Sequence, residues 1–301
     1  MSVTNTDVFI FTDCDLDGAM CHTILQWCTN SDIKYKVTRV DDFKSTWEAW
    51  APANLSKYET VYILDLDVSL HAELVDKPNV TIIDHHDSHV AHADRYKTAK
   101  TYIEKETSCA KLLYRICRSA NNVELTPNQK LLIGLVDDYD SYTLKTKSSK
   151  DLNTIFWSYQ GDRVQKFISD FSSGFHGFND RQKRLLEFKA KALKSIIRDL
   201  EIFKLDKFEF DGDTYNVIST VATSDINEVA HHIIHEYSCD ISIIVNTNSK
   251  KVSFRKSATV GNLNLAHLAK NICGGAGHIN AAGGTFNERF LEFSKLFERI
   301  K

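Results

Sequence analysis

The sequence predicts an α/β protein, with a parallel-sheet N-terminal domain and a smaller mixed α/β C-terminal domain joined by a long helix. Three observations carry this. Short apolar runs alternate with helical stretches through the first half, the pattern of a parallel sheet covered on both faces. From Arg181 to Leu200 runs RQKRLLEFKAKALKSIIRDL, amphipathic and free of Gly and Pro, which suits a stiff connector. Beyond it strand-like TYNVIST, CDISIIVN and KVSFR mix with a helical NEVAHHIIHEY, and the chain closes with a helix and the glycine-rich CGGAGHINAAGGTF. The expected boundaries are 1–180 for the first domain, 181–204 for the connector and 205–301 for the second domain.

Taken in order, Val8 to Phe11 form a buried parallel strand, and a helix follows Gly18 through Ala19–Trp27. Further strands are expected at Tyr35–Val40, Thr60–Leu64 and Val80–Ile83. Helical patterns follow at 107–120 and at 126–136, where Thr126 can cap and Pro127 suits the first turn. In the second half, TYNVIST, CDISIIVN and KVSFR read as strands, NEVAHHIIHEY as a helix, and a last helix falls near 262–272. His231 and His235 share a helix face there, and packing is their expected role.

Composition bounds the function. Hydrophobic residues make up 43% and charged residues 26%, the balance of a globular protein rather than a disordered one. A formal charge of −3 argues against coating duplex DNA, which takes many Lys/Arg contacts to phosphate. No stretch approaches the roughly 20 apolar residues of a membrane span, and the N-terminus has no basic leader, so a cytoplasmic location without membrane contact is expected. Seven cysteines without a C-x-x-C pair read as reduced, mostly buried thiols.

The chemistry gathers at strand ends. The stretch FTDCDLDGAM places Asp13, Asp15 and Asp17 between a strand and a helix. It is no calcium loop, because position 12 counted from Asp13 is Ile24, where the bidentate Glu is required. Asp65 and Asp67 follow the strand TVYIL, Asp84, His85 and His86 follow VTII, and Asp137, Asp138 and Asp140 end LLIGLVDDYD. Open α/β sheets bind ligands beyond the carboxyl ends of their strands, so four acidic ends converge on one site. Carboxylates with one or two imidazoles suit Mn²⁺, Mg²⁺ or Co²⁺ better than a thiolate zinc site. Crowded carboxylates need cations, and two ions sharing a bridging aspartate meet that need, activating a water and clamping phosphoryl oxygens. In the second half, Arg255 offers a bidentate phosphate contact, while Lys256 reads as a solvated surface residue. GGAGHINAAGG offers backbone N–H groups around His278.

The set DCDLDGA, LDLD, DHH and GLVDDYD, followed by VSFR and GGAGHINAAGG, resembles the DHH/DHHA1 phosphoesterases in order and over nearly the whole chain. That family includes RecJ-type exonucleases, short-oligonucleotide nanoRNases with adenosine-3′,5′-bisphosphate phosphatase activity, and cyclic-dinucleotide phosphodiesterases. The resemblance implies a metal domain and a substrate domain facing each other across a cleft. It implies that Asp15 and Asp17 bind different ions, that Asp65 bridges them and that His85 is a ligand. Asp84 and His86 take the catalytic place, with His86 on the scissile phosphate. Asp138, four residues after Gly134, fits the fourth motif, with Asp137 and Asp140 as alternatives. Arg255, Gly275, Gly277 and His278 hold the substrate phosphate or terminal nucleotide. Where nanoRNases carry a ligating His, Phe11 stands instead, and Asp13 is the candidate to replace it. His89 and His92 follow the DHH triplet and are further candidates to line the cleft. The expected activity is hydrolysis of oligonucleotides of about two to five residues with two Mn²⁺, replaceable by Mg²⁺ or Co²⁺; a homodimer is compatible with the sequence, which does not fix the oligomeric state. Alternatives are a cyclic-dinucleotide phosphodiesterase, an adenosine-3′,5′-bisphosphate phosphatase and a non-catalytic nucleotide sensor.

Overall fold

Alternation along the first strand sets up both faces of a sheet. Val8–Thr12 (β1) is buried throughout; Val8 and Ile10 enter one core, while Phe9 and Phe11 enter the other. The computed structural model of the chain describes residues 8–29, 33–121, 123–277 and 279–301. His278, expected at the phosphate site, lies outside the described residues. No described helix is long and apolar enough to cross a membrane.

The chain continues through α1 (Leu16–Thr29), β2 (Lys34–Val37), α2 (Val40–Asn54), β3 (Thr60–Leu64), α3 (Ala72–Val75), β4 (Val80–Asp84), α4 (Asp87–Val90) and β5 (Lys100–Ile103). Then come α5 (Cys109–Asn121), α6 (Pro127–Asp140), α7 (Lys147–Ser158) and α8 (Arg163–Phe171). The strands run parallel in the order β2-β1-β3-β4-β5. One face is covered by α2, whose Phe43 and Trp47 pack on Phe9, Phe11, Val61 and Ile63. The other face carries Met20 and Ile24 of α1, Leu112 of α5, Leu132 of α6 and Phe167 of α8. Phe11 is wholly buried among Phe43, Trp47 and Trp50, so it points away from any ligand position. Burying such a ring stabilises by about 2–3 kcal/mol.

Two expected bounds move. The strand read as Tyr35–Val40 stops at Val37, and Val40 opens α2 with Asp41 and Asp42 in its first turn, where acidic side chains suit the helix dipole. The helix read as 126–136 continues to Asp140. It starts as expected: Thr126 Oγ1 accepts from Gln129 N at 3.3 Å, Thr126 N donates to Gln129 Oε1 at 2.8 Å, and Pro127 opens the first turn.

Compact units span Met1–Lys183 and Arg184–Lys301. The division falls within α9 (Asp180–Arg198). After it come β6 (Ile202–Phe210), β7 (Asp213–Val221), α10 (Ile226–Tyr237), β8 (Ile241–Asn246), β9 (Lys251–Lys256), α11 (Leu265–Cys273), β10 (Ala276–Gly277), β11 (Ala281–Thr285), α12 (Glu288–Ser294) and β12 (Glu298–Arg299). Their sheet has the order β10-β11-β9-β8-β7-β6-β12. Among the described residues only β7 and β8 of this sheet pair in parallel, across the helical crossover α10, so the sheet is mixed as the sequence predicts. Leu193 and Ile196 of α9 pack with Val229 and Ile233 of α10 on one face. Leu265 and Leu268 of α11 and Phe290 of α12 fill the other.

The glycine-rich stretch is not an open loop. It forms β10 and β11, and its glycines permit the approach: a Cβ on Gly275 would lie 2.1 Å from the Gly283 carbonyl oxygen. Gly277 sits at φ 148°, with its Cβ position 2.5 Å from Ala282 Cα.

Candidate metal centre

All the acidic segments of the first unit meet beyond the carboxyl ends of β1, β3 and β4. Thr12 ends β1 and the chain turns at once into α1, with Asp15 accepting from Gly18 N at 2.9 Å as the helix cap. Gly18 is required by this tight turn, since a Cβ would lie 2.6 Å from the Asp13 carbonyl oxygen and 2.7 Å from Thr12 Oγ1. Asp17 is buried and accepts from Cys109 N at 2.7 Å and Ala110 N at 3.0 Å, at the start of α5. Asp65 follows β3 in the left-handed conformation, φ 58°, its N–H bonded to Ile83 O at 3.1 Å. A non-glycine residue held there stores on the order of 1 kcal/mol of strain.

His85 is the hub. Its Nε2 lies 3.4 Å from Asp65 Oδ1, 3.5 Å from Asp140 Oδ2 and 3.8 Å from Asp17 Oδ2. Its Nδ1 is 3.4 Å from Glu106 O, a contact that fixes the proton on Nδ1 and leaves the Nε2 lone pair facing the carboxylates. Asp17, His85 and Asp140 form one set with ligand atoms within 4.8 Å of one another, and Asp65, His85 and His86 form another. His85 thus belongs to both.

Electrostatics favour a cation at this cluster. Burial, then the neighbouring Asp15, pushes the Asp17 carboxyl up to about 8. Burial and the charges of Asp17 and Asp15 drive Asp65 and Asp140 well above the carboxylate range. Asp13, half-buried and accepting from Cys14 N at 2.5 Å, rises to about 6 through burial and Asp15. Asp13 and Asp15 lie beside the two ligand sets rather than within them. Carboxylate oxygens around one imidazole are a donor set for a hard divalent cation such as Mn²⁺ or Mg²⁺, and such a charge would relieve the repulsion.

Asp138 is not in the cluster. Its oxygens accept from Thr143 Oγ1 at 2.6 Å, Ser149 Oγ at 2.7 Å, Lys145 N at 2.9 Å and Thr146 N at 3.1 Å, tying down the turn from α6 to α7. Burial acts to raise this carboxyl, but the hydrogen bonds prevail and hold it below its usual range. Because α6 runs through to Asp140, residues two apart point to opposite sides at about 100° per residue. Of the three α6 aspartates it is Asp140, one of the alternatives from the sequence, that lies beside His85 Nε2. Asp137, on the Asp140 side, is occupied by the hydroxyls of Thr107 and Ser108 and by Lys111.

Asp84 and His86 form the next layer. Asp84 is fully buried and shared, with Oδ1 at 2.7 Å from His86 Nδ1 and Oδ2 at 2.6 Å from His89 Nδ1. His89 Nε2 in turn lies 2.6 Å from Tyr96 OH. Burial works against the charges, but pairing outweighs it: Asp84 is held far below the carboxylate range and His86 is raised to about 10. His89, a candidate from sequence to line the cleft, is instead fully buried in this chain of contacts. Tyr96 was not anticipated; its signal is an aromatic hydroxyl ten residues past His86.

In the second unit, Arg255 is braced rather than loose. Its Nη2 and Nε lie 2.6 and 3.1 Å from Asn227 Oδ1, and its Nη1 donates to Phe254 O at 2.7 Å. Lys256, expected to be solvated, donates to Leu263 O at 2.7 Å and ties the following loop.

No family model and no curated protein matches the sequence. Solved structures do. The pGpG-specific phosphodiesterase PggH of Vibrio cholerae superposes with a TM-score of 0.57 at 14% identity, covering 96% of each chain. The DHH domain of a member of a ribosomal-protein family gives 0.63 at 12%, covering 97% of this chain and 87% of that one. Exonuclease RecJ bound to manganese gives 0.55 at 12%, covering 97% and 88%. Identities this low speak for architecture alone, and in architecture the chain is a protein of the DHH-domain fold.

Proposed function

We propose that this chain is a metal-dependent phosphoesterase that hydrolyses short oligonucleotides, with two Mn²⁺ at the Asp17, Asp65, His85 and Asp140 cluster. The observation that carries the reading is the convergence of three buried or half-buried carboxylates on His85 Nε2. Bound cations would supply Lewis acidity to a phosphoryl oxygen and lower the pKa of water. The chain's own residues do the rest. His85 is shared by the two ligand sets, with Asp65 in one and Asp17 in the other, and Asp17 is fixed by the α5 amides. His86, held through its Nδ1 by Asp84, is the imidazole oriented to meet a phosphate. Arg255, with the backbone near Gly275 and Gly277, is the second unit's candidate for nucleotide phosphate. Seven free cysteines fit the reducing cytosol.

The test is a panel of dinucleotides, longer RNA and DNA, cyclic dinucleotides and nucleotide bisphosphates, assayed with Mn²⁺ and with Mg²⁺. Dinucleotides should be the best substrates, and Asp65→Asn or His85→Ala should lower turnover at least about a hundredfold. Tight nucleotide binding with no product under either metal would refute the reading and leave a sensor.

A further inference from the structure

Asp17, His85 and Asp140 come from three separate parts of the first unit: the start of α1, the residue after β4 and the last turn of α6. One short segment, 104–108 between β5 and α5, reaches two of them. Glu106 O lies 3.4 Å from His85 Nδ1, and directly after the segment Cys109 N and Ala110 N donate to Asp17 at 2.7 and 3.0 Å. Asp140 sits on a different helix, so the set closes only if α6 is held against this segment.

Asp137 does the holding. It lies three residues before Asp140, on the same side of α6. Its Oδ1 accepts from Thr107 Oγ1 and, at 3.1 Å, from Ser108 Oγ, while its Oδ2 accepts from Lys111 Nζ at 3.3 Å. Lys111 Nζ also donates to Thr107 Oγ1 at 2.9 Å. An ammonium only donates, so the Thr107 oxygen accepts there and its single proton goes to Asp137. The Lys111 side chain is 44% exposed, which leaves its charge pair with little weight. The two hydroxyl bonds to an ionised acceptor are the stronger part of the contact. Both Asp137 oxygens are thus engaged by the segment and the start of α5, and among the described residues Asp137 is in neither ligand set.

We propose that Asp137 is a positioning residue for the metal centre: its carboxylate clasps the 104–108 segment to α6 and so holds Asp17, His85 and Asp140 at the spacing one cation requires. This rests on the phosphoesterase reading above and gives one of the three α6 aspartates a role other than ligation. The clasp acts chiefly through Thr107. Its hydroxyl can be removed with the least other disturbance, because Ser108 Oγ also accepts from Lys111 N at 3.2 Å in the first turn of α5.

Mn²⁺ affinity is measured by calorimetric titration for the wild type, Asp137→Ala, Asp137→Asn, Thr107→Val and the Asp137→Ala/Thr107→Val double variant. The His85 ring is followed by ¹⁵N NMR in EDTA, and turnover of ApA is assayed separately. Asp137→Ala should weaken Mn²⁺ binding about tenfold or more, and Thr107→Val should weaken it too. The double variant should bind as Asp137→Ala does, because both changes break one contact. Asp137→Asn keeps an oxygen that accepts from the hydroxyls and should recover most of the loss. In EDTA the His85 proton should stay on Nδ1 in the wild type and in Asp137→Asn, and spread over both ring nitrogens in Asp137→Ala. If Asn is as damaging as Ala while Thr107→Val is silent, Asp137 is a ligand and the clasp is overturned. Lower unfolding midpoints with Mn²⁺ affinity and the His85 spectrum unchanged make the contact structural only, which overturns it as well. Mn²⁺ affinities in the expected pattern without hydrolysis of ApA sink the phosphoesterase reading and leave the clasp standing. If the wild type binds no Mn²⁺, that reading falls, and the His85 spectra in EDTA decide the clasp alone.

Discussion

His22 should make this protein acid-labile well above the carboxylate range. It sits on α1, 3% exposed, with its ring 4.7 Å from that of Tyr35. Burial lowers its pKa from 6.5 to about 4, outweighing the Ile33 backbone and the Asp162 charge, which act the other way. The unfolded chain therefore binds the proton first as pH falls. The stabilisation is complete above pH 6.5 and is lost progressively down to the folded-state value. The difference of about 2.5 units corresponds to about 3 kcal/mol in full, of which about 2 kcal/mol is lost between pH 7 and pH 5. His22→Phe keeps a ring and removes the titration, so its stability should fall by about 2 kcal/mol less over that interval. Urea unfolding at pH 7 and pH 5, in EDTA and with matched m-values, measures this. Equal pH losses in wild type and variant would refute the reasoning, because the carboxylate cluster contributes alike to both.

Asp138→Asn should cost about 2–4 kcal/mol of stability, read from denaturant midpoints, yet retain Mn²⁺ binding in calorimetric titration. Asp140→Asn should do the reverse: Mn²⁺ affinity falls about 10–100-fold, while Tm in EDTA rises because a repelled carboxylate is gone. Asp84→Asn should lower kcat about 10–100-fold, and the His86 ring should titrate well below its value of about 10 when followed by NMR. Gly18→Ala should destabilise by about 1–3 kcal/mol in thermal unfolding, since its Cβ meets backbone 2.6 Å away.

Much of the site was legible because its parts have local signatures. An apolar run ending in aspartate marks a strand that delivers a carboxylate to the sheet's carboxyl edge, and β1, β3 and β4 follow that rule. Counting four residues from Gly134 takes no account of which side of a helix each residue faces, and Asp138 and Asp140 face opposite ways. The sequence could not say that α6 continues to Asp140, so Asp138 and Asp140 could not be separated. Phe11 was read as a missing ligand, but a strand's alternation points that position into the aromatic core under α2. The helix α2 has no signal of its own in the pattern, because its first residue, Val40, continues the strand expected from Tyr35. The glycines near 275–284 were read for ligand approach, whereas the close approach they permit is between β10 and β11. The Asp84–His89–Tyr96 contacts depend on how the chain folds after α4, which no spacing rule encodes.

The grip of Asp17 on the Cys109 and Ala110 amides spans 92 and 93 residues of sequence. Such a contact is among the last to repay its loop-closure entropy during folding. A partly folded chain with β1 and β3 paired but α5 undocked would hold the aspartates and still lack the cation site. Under the proposed function, cation affinity is therefore a report on completed assembly of the first unit. A refolding experiment followed by Mn²⁺ uptake would time the arrival of α5 rather than the formation of the sheet.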